Sequence, residues 1–345
     1  MAERRGAGVG TLFSRLTGGA RRERVADALD RPGEIELQAA GVRVVMVPAW
    51  GGRITALELG GRQWLSASEP PTEGPERREL DFALAGGYQE AFPTVLPCRV
   101  LSKHTGVAFE QPALGELHRL VPTAKIATLD GSVEATLSWT GDRMPYRFVR
   151  VVSASPGEIA MRYEVTNTGS APLPFLWAAN VAMPLGEHTR LLLPDNARSR
   201  VISQEGIDLL GVGAEHRWPR FRTAKKLVDM SVPDSIGGRF ACHLSFEVPT
   251  GLATVIEGAQ RLELRFDAAD VSRIGLSVRR KLGGNGARLV SLQPAIGVPG
   301  ALASAAGVDG SAAWLEPGQS RRWSLAWRAL VDEPPATSAP AASGQ

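Results

Sequence analysis

Two carboxylates and a scattered set of histidines are the residues of this chain that could move protons. Glu90 lies in Gly86-Gly87-Tyr88-Gln89-Glu90-Ala91-Phe92-Pro93 and Glu116 in Pro112-Ala113-Leu114-Gly115-Glu116-Leu117. Two carboxylates flanking a glycosidic bond are the machinery of glycoside hydrolysis. The alternative for each is an ion pair with an arginine such as Arg53 or Arg150. The histidines are His104, His118, His188, His216 and His243, and a surface or structural place is the simpler reading of each. Asn180 and Gln293 are amides in apolar surroundings, and buried amides commonly satisfy backbone groups. Tyr88 and Trp177 could stack on the apolar face of a ligand ring or belong to the core. No histidine–cysteine grouping has metal-site spacing, so no metal is expected. Gly-x-Ser-x-Gly is absent, and Gly283-Gly284-Asn285-Gly286 lacks the lysine and following helix of a phosphate loop. That glycine run reads as a hairpin loop.

The elements that must position these residues are strands. Val42, Val44, Val45 and Val47 are β-branched, and Ile54-Thr55-Ala56-Leu57-Glu58-Leu59 alternates. Gly60-Gly61 then turns the chain back into Arg62-Gln63-Trp64-Leu65, a hairpin. Residues 66–80 read as a loop. Further strands are expected at 133–140, 146–154, 158–167, 172–178, 189–193, 239–248, 252–257, 261–267, 273–279, 287–293 and 321–330. Turn residues separate them and helical periodicity is scarce, so the fold class is all-β, a large antiparallel β-sandwich. Residues 1–33 read as a basic, poorly ordered or partly helical lead, with a short amphipathic helix around Arg22–Leu29. Residues 34–331 form the sandwich domain, and the Pro/Ala/Ser-rich residues 332–345 form a disordered tail.

The 345 residues, 43% hydrophobic and 22% charged, can bury a large core. The net charge of +3 is small, and part of it sits near the start, where Arg4, Arg5, Arg15, Arg21, Arg22 and Arg24 cluster. No aromatic platform accompanies these arginines, so nucleic acid is not an expected partner. No apolar run has the length of a signal or a membrane span, and Cys98 and Cys242 are expected to be reduced thiols. The expectation is a cytoplasmic monomer or homodimer without cofactors.

Taken in order, several segments resemble the landmarks of aldose 1-epimerases, the galactose mutarotase-like family. Gly51-Gly52-Arg53-Ile54-Thr55-Ala56-Leu57 resembles the opening hairpin, and Gly86 to Pro93 the GG-aromatic-x-E-x-F-P segment. Pro112 to Leu117 resembles a P-D/N-H-G-E-aromatic segment. Tyr163-Glu164-Val165-Thr166-Asn167-Thr168-Gly169, continuing through Pro172 and Pro174 to Trp177, resembles a Y-x-V-x-N-x-G…W-A-x-H run. Leu315-Glu316-Pro317-Gly318-Gln319-Ser320 with Trp323 and Trp327 resembles the closing strand. The resemblance covers roughly residues 35–330 and implies a sugar held on one sheet face by Arg53, Tyr88, Glu90, Glu116, Trp177, Asn180 and Gln293.

Mutarotation needs a base for the anomeric hydroxyl and an acid for the ring oxygen, both titrating near neutral pH. The resemblance assigns these roles to a glutamate and two histidines, and the matching positions here are Gln293, Leu114 and Asn180. An amide hydrogen-bonds but does not titrate, and leucine does neither. Each lost partner costs about 10²–10⁴-fold in rate. The reading is a carbohydrate-binding protein without the standard chemistry. Glu90, Glu116 and His118 are the substitutes an active enzyme would use. His118 would lie about 13 Å beyond Leu114 in an extended strand. A structural interaction module without ligand is the third reading.

Overall fold

The strand Glu158–Asn167 shows why this chain forms sheets. Its side chains alternate strictly, with Ile159, Met161, Tyr163 and Val165 buried and their neighbours half-exposed. A two-residue period of this kind puts one face on a core and leaves the other wet. The computed structural model describes residues 33–68, 86–102, 104–129, 131–282 and 286–331, with the backbone of Arg24–Val25. Among these residues one antiparallel sheet has thirteen strands and another has nine. Strands from Arg24–Val25 to Ser320–Val331 contribute to them.

Seven strands of the larger sheet carry the residues of interest: β1 (Arg53–Leu59), β2 (Tyr88–Ala91), β3 (Trp177–Pro184), β4 (Arg198–Glu205), β5 (Phe240–Glu247), β6 (Arg273–Arg280) and β7 (Arg288–Ile296). Their spatial order is β4-β5-β6-β7-β3-β2-β1. Strands Val42–Val47 and Ile35–Ala39 extend the sheet beyond β1. The smaller sheet includes Ser132–Thr140, Tyr146–Ser155, Glu158–Asn167 and Ser320–Val331 as consecutive neighbours.

Aromatic side chains fill the space between the sheets. Tyr163 and Trp323 stack with ring centroids 5.2 Å apart, and Trp177 of β3 reaches both from the opposite sheet. Phe92 packs edge-on against Tyr146 at 4.7 Å. Truncating a side chain this large in a packed core costs about 3–5 kcal/mol.

Most expected strands form close to their expected bounds. The hairpin at Gly60-Gly61 pairs Glu58 with Gln63 and Leu59 with Arg62. Both glycines have positive φ, which a two-residue turn of this hand requires. The single strand expected at 172–178 is two strands. Leu173–Phe175 pairs with Ala313–Leu315, and the chain changes partners at Leu176, whose N–H bonds to Pro93 O, before β3 begins. Arg198–Glu205 and Thr123–Leu129 are strands that the sequence reading left out. In the first, only Ser199 and Val201 are buried, so the apolar signal is faint.

At Arg24–Val25 the expected helix is corrected, because their backbone pairs with Thr128 and Ala127 as a strand. The remainder of 22–29 lies outside the described residues, as do residues 332–345, much of the 66–80 loop and Gly283–Asn285. Cys98 and Cys242 are both free, and Cys242 is buried in the core, where burial pushes its thiol up to about 12.

Candidate functional site

Strand register lines up a row of polar side chains on the outer face of the large sheet. Pairing of Ile54 with Tyr88 sets Arg53 beside Gln89, and an Arg53 Nη2 hydrogen donates to Gln89 Oε1 at 2.9 Å. Gln89 pairs with Asn180 of β3. Val181 pairs with Leu292 and Ala178 with Ala295, which brings Asn180 beside Gln293 of β7. Gln293 Nε2 donates to Asn180 Oδ1 at 2.9 Å. The register continues from Gln293 to Gly275, from Gly275 to Ser245, and from Ser245 to Arg200.

This face differs from the sandwich interior in more than polarity. Ala91, Ala178, Ala182 and Ala295 are small and share the outer parity with Asn180 and Gln293, so the middle of the row is floored by short side chains. Asn180 is fully buried, and Arg53, Gln89 and Gln293 are 7%, 5% and 6% exposed. Burial lowers the Arg53 guanidinium pKa from its ordinary value. The face meets solvent farther along, at half-buried His243, Ser277 and Arg273.

Three residues expected at the site point the other way. Tyr88 and Glu90 alternate with Gln89 and therefore enter the sandwich interior. The Tyr88 and Tyr163 hydroxyls are 2.7 Å apart, and burial raises both phenol pKa values well above the ordinary one. Glu90 Oε2 accepts from Arg150 Nη1 at 2.7 Å, with both side chains at 3% exposure or less. Arg150 also donates to Gly52 O and lies 5.4 Å over the Trp139 ring. Trp177 is fully buried against Tyr163 and Trp323. These placements correct the expectation that Tyr88, Glu90 and Trp177 line a sugar pocket, because β-strand parity sends them into the core.

Glu116 is also structural. Its Oε1 accepts from Gln111 Nε2 at 2.9 Å, and its Oε2 from the Asp142 and Arg143 N–H groups at 2.7 and 3.1 Å. Tyr146 OH donates to the same oxygen at 3.4 Å. A carboxylate holding a turn by this many donors is not free to serve as a base, which corrects its candidacy. It also burdens the Tyr146 phenol, whose pKa burial and the neighbouring charge raise.

Leu114 sits in a turn strapped to the end of β2. Its N–H bonds to Val95 O at 2.8 Å, and its carbonyl accepts from Phe92 N at 3.3 Å. Its φ of 64° is in the left-handed region, unusual for leucine. The following Gly115 is required, because a Cβ there would lie 2.0 Å from Phe92 O. His118 is half-buried in a short 3₁₀ turn, and Arg119 Nε donates to its Nε2 at 3.1 Å. His104 and His188 are exposed, while His216 stacks on Phe221 at 4.7 Å and bonds Leu209 O through Nε2 at 3.0 Å.

His243 is the histidine that reaches the row. It was named in the sequence but had no local signal to set it apart. Gln89 was legible in principle, since alternation through Tyr88-Gln89-Glu90 puts it on the face opposite its neighbours. Two concavities, of about 610 and about 490 Å³, lie elsewhere. One is bounded by Thr223–Lys226 and Gly237–Gly238, the other by Asp142–Pro145 and Gly169–Leu173. Neither includes a residue of the row. Among the described residues no group of three His, Cys, Asp or Glu is placed to hold a metal, and no helix is long and apolar enough to cross a membrane.

No family model and no curated protein sequence matches the chain. Solved structures do. The Slr1438 protein of Synechocystis sp. PCC 6803 is similar with TM-score 0.63 and 17% identity over 89% of this chain and 99% of its own. A candidate aldose 1-epimerase of Escherichia coli K12 has TM-score 0.63 and 13% identity over 86% of this chain and 99% of its own. A galactose mutarotase-like protein of Clostridium acetobutylicum has TM-score 0.59 and 11% identity over 86% and 95%. At such identities the likeness speaks for architecture, and together with the two antiparallel sheets it shows that this chain has the galactose mutarotase-like fold.

Proposed function

We propose that the protein binds a monosaccharide or sugar derivative on the outer face of the large sheet, over Asn180 and Gln293, and does not carry out mutarotation by the usual acid–base route. The observation that carries this reading is the amide pair itself. Gln293 Nε2 donates to Asn180 Oδ1 at 2.9 Å in the middle of the polar row, on a fold shared with a galactose mutarotase-like protein. Two amides hydrogen-bond a hydroxyl or a ring oxygen, but neither exchanges a proton near neutral pH. Leu114 likewise supplies no acid. The two carboxylates that could have replaced them are committed elsewhere, Glu90 to Arg150 and Glu116 to the 142–143 turn. The reading invokes no cofactor or nucleic acid, and a cytoplasmic monomer or homodimer suits it.

Thermal unfolding across a monosaccharide panel, run beside polarimetric mutarotation, tests the proposal. A ligand binding only the native state at 100 times its Kd stabilises by about 2.7 kcal/mol, so at least one sugar should raise Tm. Asn180→Ala should abolish that shift, and the mutarotation rate should equal that of buffer. A rate well above buffer would make the protein an active epimerase with a rearranged site. No shift with any sugar would leave the interaction-module reading.

A further inference from the structure

On the outer face, β5 contributes His243 and Ser245, two residues apart and therefore pointing the same way. Ser245 pairs with Gly275 of β6, and Gly275 pairs with Gln293 of β7. His243 lies one step along, opposite Ser277. Gln293 and His243 close over Gly275, which has no side chain to keep them apart. A Cβ placed there would come 2.7 Å from Gln293 Oε1 and 3.1 Å from His243 Nε2, so the two groups lean into one space from either side of β6.

That space is chemically unfinished. Ser245 Oγ is shielded from solvent and has no hydrogen-bond partner, and His243 Nε2, equally shielded, has only the Gln293 amide against it. Buried polar atoms are satisfied in the great majority of cases, and exceptions call for a reason. Ser245 is only 4% exposed, whereas the His243 side chain as a whole is half-buried and marks where the face meets solvent. Burial pushes the imidazole down to about 4, against the opposing effect of the Gln293 amide, so it is neutral at pH 7. A neutral imidazole has one donor and one acceptor nitrogen, and a hydroxyl can play either part. All three groups around Gly275 are thus uncharged and match other hydroxyls. The nearby Arg273 is already paired with Glu247 at 2.8 Å.

We propose that His243 and Ser245, with Gln293, form a hydroxyl-binding subsite above Gly275, in which two hydroxyls of one neutral sugar ring bond to His243 Nε2 and Ser245 Oγ. This rests on the carbohydrate reading and extends the site from β3 and β7 to β5.

The test takes the monosaccharide that stabilises the wild-type protein most and measures its Kd by calorimetry for wild type, His243→Ala, Ser245→Ala and Asn180→Ala. Histidine ring ¹H–¹⁵N spectra are followed in the same titration. Each of the two β5 variants is expected to weaken binding about 5- to 10-fold, as loss of one hydrogen bond would. The His243 ring resonances should move on sugar addition. Ser245→Ala removes a hydroxyl that has no partner in the free protein, so its Tm without sugar should not fall, and weakened binding cannot then be put down to misfolding. Sugar binding lost in Asn180→Ala but within twofold of wild type in both β5 variants, with unmoved ring resonances, would overturn the subsite and keep the carbohydrate reading. Absence of binding by wild type to every monosaccharide would overturn both.

Discussion

Gln89 and Glu90 are neighbours in sequence and live in opposite worlds. Glu90 points between the sheets, where it is buried and held by Arg150. Gln89 points outward to Arg53 and Asn180 in a row whose middle is made of amides. The ionisable groups that the sequence offers for catalysis stand on the structural side of the sheet. The outer row holds no carboxylate: it runs from Arg53 through the amides Gln89, Asn180 and Gln293 to Ser245, with His243 beside it. Parity, more than residue type, separates framework from site here.

Breaking the interior charge pair should have the largest effect. Arg150→Met leaves Glu90 buried without its partner and is expected to cost about 3–5 kcal/mol in chemical denaturation. Arg150→Met combined with Glu90→Gln should recover much of that loss. If the double variant is as unstable as the single one, the pair is not what makes this interior position costly. Glu116→Ala comes next. It strips the Asp142 and Arg143 N–H groups and Gln111 of a charged acceptor, for about 2–3 kcal/mol. Mutarotation assays on the same variant should show no change from buffer-level rates, because the carboxylate is structural.

On the outer face the expected stability effects are smaller. Asn180→Ala removes the acceptor of Gln293 Nε2 and should cost about 1–2 kcal/mol without sugar. The pH dependence of His243 is the finest probe. Its folded pKa is about 4 and the ordinary value is 6.5. Between these values the unfolded chain takes up a proton that the native protein refuses, so stability falls as pH drops through that window. Its cross-strand neighbours Ser203 and Ser277 are uncharged. Urea unfolding of wild type and His243→Gln at pH 7 and pH 4.5 should show the smaller acid loss in the variant. Equal losses would mean that the imidazole is not desolvated.

Much of the framework was legible because it rests on short-range rules. Alternation at 158–167, glycines at 60–61 and the proline-bounded run before Trp177 each announce local structure. The ion pair of Glu90 with an arginine such as Arg150 was open to the same reasoning, although its location was not. The site was harder to read because it is a row across strands. Arg53, Gln89, Asn180, Gln293 and Ser245 are far apart in sequence, and only pairing register makes them neighbours. Gly275 carried no signal as a lone glycine within a strand, and its meaning lies in what leans over it. Tyr88 and Trp177 were read as ring-stacking candidates from their type, while the face they occupy makes them filler between the sheets.

The turn at Leu114 and Gly115 has a consequence for motion. Leu114 N–H bonds to Val95 O, Glu116 N–H to Phe92 O at 2.7 Å, and Phe92 N–H to Leu114 O. A connecting segment is thereby woven into the terminus of β2, and these amides should exchange with deuterium as slowly as those of central strands. The rim of the sheet next to Ala91 is accordingly a stiff edge.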